Sequence, residues 1–215
     1  MTSSTEHQAI INAFHQLYYE GLPGQGHIFS RTSWMNVPCL KCPLDLWVYQ
    51  EIIAELRPDL IIETGTYAGG SALFMAHVMD IVGKGEVISI DIELKPRPFH
   101  SRITYVTGSS ADGSLISSLL DRRAAETRLV VLDSDHKKQH VLAELRLLAP
   151  YVSVGSYVIV EDTNINGHPA APSFGDGPQE AVQEFLRGNS NFVRDHSREK
   201  FLMTFNPNGF LKRIA

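Results

Sequence analysis

The chain has 215 residues, 43% apolar and 20% charged, which suits one globular domain with a sizeable core and is short for two. The formal net charge of −5, with 19 Lys and Arg scattered and no basic run longer than Lys137-Lys138, excludes the electrostatic footprint of a nucleic-acid binder. No segment approaches the roughly 18 consecutive apolar residues of a membrane span, and the amino terminus lacks a signal peptide's charged start and apolar centre, so a cytoplasmic protein with no membrane partner is expected.

A helix is expected over about 5–20, followed by a Gly/Pro/Trp-containing loop over 21–44. Phe14, Leu17, Tyr18 and Tyr19 would pack on the core or on a second subunit, and a homo-oligomer is expected. The loop carries a lone CxxC, Cys39 and Cys42, among prolines. A closed zinc site needs four ligands and no second pair exists, so two reduced thiols are expected. The core, 45–215, opens on a helix for which Asp45 is a plausible N-cap, with Leu46, Tyr49, Ile53 and Leu56 on one face.

From about residue 58, apolar β-branched runs alternate with helical patterns. Segments 59–64, 86–91, 103–108, 128–133 and 156–162 read as buried strands, and 69–82, 112–121 and 137–149 as helices. That alternation predicts an α/β fold with a parallel sheet and helices on both faces, its ligand outside the carboxyl ends of the strands. Segment 164–178, rich in Gly and Pro, reads as a functional loop, and with Phe174 it is expected to shape an acceptor pocket. The closing "KFLMTFNPNGFLKRIA" carries two apolar runs about "NPNG", a hairpin signal for an antiparallel pair that completes the sheet.

The chemistry gathers at the strand ends. "LIIETGTYAGGSA" places Glu63 before Gly65, Gly69 and Gly70, and contains neither GxGxxG nor a phosphate-loop signature. A carboxylate beside a pyrophosphate would repel it, whereas S-adenosylmethionine carries a sulfonium and an ammonium; Glu63 therefore favours that cofactor, or else caps the following turn. Asp91, ending the second strand, can bond a ribose diol or form a turn. Ser109 can contact adenine or cap the helix from about 112.

Asp133 ends the fourth strand, and Glu161 and Asp162 end the fifth. Converging carboxylates raise one another's pKa unless a cation joins them, and an all-oxygen set selects a hard ion such as Mg²⁺. The alternative is that these acids cap a helix and make turns. His136 is the candidate general base, with Asp133 as the other; Asp135 reads as a helix-start acid. His136 and His140, at i,i+4, are a weaker metal pair.

"ETGTYAGGSALF", "VVLDSDHKKQHVLAELRLLAPYVSVGSYVIVEDTNINGHP" and "EKFLMTFNPNGFLKR" together resemble the cephalosporin hydroxylase-like, or rhamnosyl O-methyltransferase, family. The resemblance implies a Rossmann-like class I methyltransferase with a mostly parallel seven-stranded sheet and a C-terminal antiparallel hairpin. It implies S-adenosylmethionine and Mg²⁺ as cofactors and a small-molecule hydroxyl acceptor, a sugar or glycosylated natural product. By motif it implies Asp133, Glu161 and Asp162 as metal ligands. On the cofactor side it implies Glu63, Gly65, Thr66, Tyr67, Gly69, Ser71, Asp91, Ser109 and Asp135, with Lys41 covering the cofactor. Two rivals remain: a non-haem metal hydroxylase, needing His136 or His140 with His168 beside Asp133, and a non-catalytic accessory protein on the same scaffold.

Overall fold

A computed structural model describes residues 4–215. The central strand, β3 (Leu60–Thr64), is buried along its whole length, as a continuous apolar run covered on both faces requires. It pairs in parallel with β4 (Glu86–Asp91) on one side and β6 (Arg128–Leu132) on the other. Outside these lie β5 (Ile103–Thr107) beyond β4 and β7 (Tyr157–Val160) beyond β6, both parallel. The last strand, β9 (Phe210–Arg213), inserts antiparallel beside β7 and carries β8 (Phe192–Arg194) on its outer edge. The order is therefore β5-β4-β3-β6-β7-β9-β8, seven strands, and chain direction reverses its progress between β3 and β6. A two-residue ribbon, β1 (Ser33–Trp34) with β2 (Val37–Pro38), stands apart.

Alternate residues of each strand feed two cores. Ile61, Val87, Val131 and Ile159 meet α2 (Pro43–Leu56) and α3 (Gly70–Val82), while Ile62, Ile88, Val130 and Val158 meet α4 (Gly113–Leu120), α5 (Lys138–Leu148) and α6 (Pro178–Gly188). The expected α/β sandwich is thus present, with one added helix, α6. Among the described residues no helix is long and apolar enough to cross a membrane.

Two local expectations are corrected. Asp45 is not the N-cap of α2; that position is Cys42, with Pro43 at N1, and Asp45 lies one turn in. Its buried carboxylate instead accepts hydrogen bonds from Thr204 Oγ1 at 2.5 Å and the Phe205 N–H at 2.8 Å. The expected C-terminal antiparallel pair is present, but it is not joined at "NPNG". β9 does close the sheet as half of an antiparallel pair, but its hairpin-side partner is β8, and residues 201–209 run as a loop. That loop has another task, because the end of β7 needs partners. The Val160 N–H donates to Gly209 O, the Asp162 N–H to Asn206 Oδ1 and the Asn164 N–H to Phe205 O.

The amino-terminal helix α1 (Ser4–Glu20) buries only His15 among its residues. Asn164 Nδ2 donates to His15 Nε2 at 2.9 Å, and the imidazole stacks on Phe205 at 5.7 Å. A 3₁₀ turn, Ile28–Arg31, then brings Phe29 back against Tyr19. Cys39 and Cys42 are free and buried, and burial pushes both thiols up to about 12, which leaves them unreactive as expected.

Candidate functional site

Strands β3 and β6 end side by side, Thr64 opposite Leu132, and the loops that follow diverge. A cleft of about 790 Å³ opens there, at the topological switch point. One wall comes from the ends of β3, β4 and β5: Gly65, Tyr67, Asp91 and Ser109. The floor comes from the ends of β6 and β7, with Asp133, Asp135, His136 and Asp162, and the remaining wall from Tyr19, Phe29 and Leu40.

Gly65 turns the chain at φ 82°, and a Cβ there would overlap the Asp133 carbonyl, so the two loops approach as closely as backbone permits. Gly69 caps α3 at φ 86° without lining the cleft. Asp91 holds this loop: its Oδ2 accepts the Thr66 and Tyr67 N–H groups at 3.0 and 2.8 Å, and Arg97 lies 3.2 Å away. Glu63 lies beneath, fully buried, accepting from Ser71 Oγ and, at 2.5 Å, from Ser89 Oγ. Burial pushes its carboxyl up to about 7, against the pull of Lys41 and the two hydroxyls. Lys41, Thr66 and Ser71 line a notch of about 30 Å³ behind the same loop. Ser109 faces the cleft; the cap of α4 is Asp112, whose carboxylate accepts from the Ser114 and Leu115 N–H groups. Of the two readings for Ser109, helix capping is thereby removed.

Asp133, His136 and Asp162 each offer one ligand atom, and these lie within 4.8 Å of one another, the one such group among the described residues. Asp162 takes a left-handed backbone at φ 53°, a conformation that Asp tolerates better than most residues. Its Oδ2 lies 3.3 Å from His136 Nε2. Glu161, expected beside them, is turned to a different partner. Its Oε1 meets the fully buried Lys41 ammonium and the Tyr49 hydroxyl, each at 2.5 Å. Lys41 also donates to Asp133 Oδ2 at 2.5 Å, so one ammonium bridges two strand-end carboxylates. Burial raises the pKa of Asp133, Glu161 and Asp162, with Lys41 opposing it in all three. Burial also depresses His136, but the charges of Asp162, Asp133 and Glu161 outweigh it and the net direction is up. Three acids held above their ordinary range around one ammonium remain short of positive charge, and the donor set fits a hard divalent cation.

Other expected roles are redistributed. Asp135 Oδ1 accepts the Lys137 N–H at 3.1 Å in the turn before α5, outside the helix. His140 faces Ser110 and Glu144 at 3.3 and 3.5 Å and does not join His136 in a metal pair. His168 bonds Glu180 at 2.8 Å and does not line this cleft, so the second imidazole of a two-histidine iron site is missing. No residue of 164–178 lines the cleft either; Phe174 packs under Lys137, 3.9 Å from its Nζ. Tyr19 and Phe29 line it instead. Only the apolar character of Tyr19 was readable in advance, since nothing local to either residue marks the cleft.

A family model described as Rhamnosyl O-methyltransferase/CmcI matches residues 27–214. The chain is 39% identical over 213 residues to the Rhamnosyl O-methyltransferase of Mycobacterium leprae, covering 95% of this chain and 91% of that protein. Among solved structures it is similar to CmcI with Mg and S-adenosylmethionine (TM-score 0.69, 23% identity, 93% of this chain and 84% of that one). It is also similar to the MycE methyltransferase in complex with Mg, S-adenosylhomocysteine and mycinamycin VI (TM-score 0.51, 23% identity, 65% and 40%). At such identities the structural likeness speaks for the fold.

Proposed function

The chain belongs to the Rhamnosyl O-methyltransferase/CmcI family, and on that premise we propose that it transfers a methyl group from S-adenosylmethionine to a hydroxyl of a sugar or glycosylated natural product, assisted by Mg²⁺. The observation that carries this reading is a switch-point cleft without a phosphate loop that opens directly onto Asp133, His136 and Asp162. The rhamnosyl acceptor in the name of the M. leprae relative supports a sugar hydroxyl as the target.

When bound, S-adenosylmethionine supplies an electrophilic methyl on a sulfonium, and Mg²⁺ supplies positive charge that makes a nearby hydroxyl more acidic. Asp133 and Asp162 would hold the ion, with Glu161 as the expected third ligand once it turns from Lys41 and Tyr49, which engage it here. The loop of Gly65, Thr66, Tyr67, Gly69 and Ser71, with Asp91, Ser109 and Asp135, would seat the cofactor; Glu63 and Lys41 stiffen that loop and the floor from below. His136 takes the acceptor proton at Nε2, where Asp162 Oδ2 at 3.3 Å stabilises the imidazolium that forms. Aligning the acceptor oxygen with the methyl supplies much of the rate, as bringing reactants to about 3 Å does generally. The exposed apolar face of α1, Ile10, Phe14 and Leu17, supports self-association, which sedimentation reads directly.

Calorimetric titration with S-adenosylmethionine tests the reading: saturable binding is expected, and none at millimolar concentration overturns it. For the metal, Asp133→Ala retaining full activity in chelator-treated buffer removes its assigned role.

A further inference from the structure

Lys41 is buried against the acid cluster, and the chain on either side of it fixes where its charge stands. Its own N–H donates to Cys39 O at 2.8 Å, the Cys39 N–H donates to Thr32 O at 3.0 Å, and Cys42 beside it caps α2. The side chain is 2% exposed, so the ammonium is shielded from water and spends its donors on carboxylates. Its Nζ lies 2.5 Å from Asp133 Oδ2 and 2.5 Å from Glu161 Oε1. The Tyr49 hydroxyl donates to the same Glu161 oxygen at 2.5 Å.

An ion held by Asp133 and Asp162 meets this ammonium in two ways. One is reach. With Oδ2 committed to Lys41, Asp133 offers a single oxygen rather than a chelating pair. When Glu161 leaves Lys41 to join the ion, Asp133 keeps the ammonium. Mg²⁺ demands octahedral geometry, retains waters and takes single carboxylate oxygens, whereas Ca²⁺ gathers up to about eight oxygens and draws on chelating carboxylates. Mn²⁺ shares the octahedral preference. The other is charge. A fixed positive charge repels an ion in proportion to the ion's own charge, so it opposes a trivalent ion more than a divalent one. We propose that Lys41 selects the ion: by holding one Asp133 oxygen and standing as a fixed charge beside the site, it admits Mg²⁺ or Mn²⁺ and disfavours Ca²⁺ and trivalent ions. This rests on the metal-assisted reading above and names the residue that sets its ion. Lys41 acts through Asp133 and Glu161 and is a positioning residue. Selectivity is a difference between ions, so a general loosening of the fold does not imitate its loss.

Calorimetry on the full chain with Mn²⁺, Ca²⁺ and La³⁺ chlorides, one at a time, tests this. In the wild type Mn²⁺ is expected to bind about tenfold tighter than Ca²⁺. Lys41→Met keeps the apolar stem but loses the charge and the donors. It is expected to narrow the Mn²⁺ to Ca²⁺ ratio about threefold and to raise La³⁺ affinity about tenfold more than Mn²⁺ affinity. Lys41→Arg retains charge and donors and is expected to keep the wild-type order. Ca²⁺ binding as tightly as Mn²⁺ in the wild type overturns the proposal, and that result needs no variant to fold. Unchanged ratios in a Lys41→Met protein with the wild-type circular dichroism spectrum overturn it too, as does an equal La³⁺ gain in Lys41→Arg. Titration of the same samples with S-adenosylhomocysteine separates the two readings. Absent binding in the wild type overturns the methyltransferase reading, while the ion ratios still judge Lys41.

Discussion

Lys41 is the residue on which the site's electrostatics turn. Its ammonium, fully buried, bridges Asp133 and Glu161 and offsets one of their two negative charges. Removing one member of a buried ion pair leaves its partner uncompensated at a cost of about 3–5 kcal/mol. Lys41→Met is therefore expected to lower Tm by several degrees, and added Mg²⁺ is expected to restore more of that loss than it adds to the wild type; thermal melts with and without chelator compare the two. His15 gives a second test. Burial holds its pKa at about 4, below the ordinary 6.5, so the unfolded chain takes the proton first. The stability it contributes is complete above pH 6.5 and is lost as pH falls toward 4. The wild type should lose about 2 kcal/mol relative to His15→Phe between pH 7 and pH 4.5, read from denaturant titrations at each pH. Sequence reading named the acids and His136 because strand ends converge, a property of topology. It could not place Glu161, because the partner that claims that carboxylate, Lys41, lies 120 positions earlier in a loop without periodicity.

At the scale of elements, periodicity located all five parallel strands and the helices between them, since buried strands and amphipathic helices write their packing into local pattern. The carboxy-terminal loop escaped that logic. "LMTF" is apolar and precedes a turn signal, as a hairpin strand would, yet its polar backbone is spent on the end of β7 and on Asp45. Asn206 is the centre of that support: fully buried, it accepts the Asp162 N–H at 3.2 Å and holds Asp162 in its left-handed turn. Leaving a buried N–H without a partner costs about 1–3 kcal/mol. Asn206→Ala is thus expected to weaken Mn²⁺ binding, measured by calorimetry, in addition to lowering stability by that amount. An unchanged metal affinity would mean that Asp162 keeps its place without Asn206.

For the molecule as a whole, the cleft is built from the loops after β3, β4, β5, β6 and β7 together with the amino-terminal segment, so ligands should bind the assembled state alone. S-adenosylhomocysteine at about 100 times its Kd would then stabilise by about 2.7 kcal/mol, which for a domain of this size raises Tm by roughly 5–10 °C. A shift that needs Mg²⁺ for part of its size would tie the ion to the same state. The fold class was legible throughout because alternation of strand and helix is a whole-chain signal. The aromatic wall was not, because docking of α1 through His15 and Phe205 joins residues about 190 positions apart.

That long reach sets an order of events during synthesis. Residues 204–209 complete β7's end, seat Asp45 and back the aromatic wall, and β9 follows them in the chain. While the ribosome still holds this segment, the parallel strands β3 to β7 can already have paired. The nascent chain would then carry a nearly whole sheet whose β7 edge is open and whose acid cluster lacks its clamp. A complete acid cluster therefore requires residues 204–209 in place.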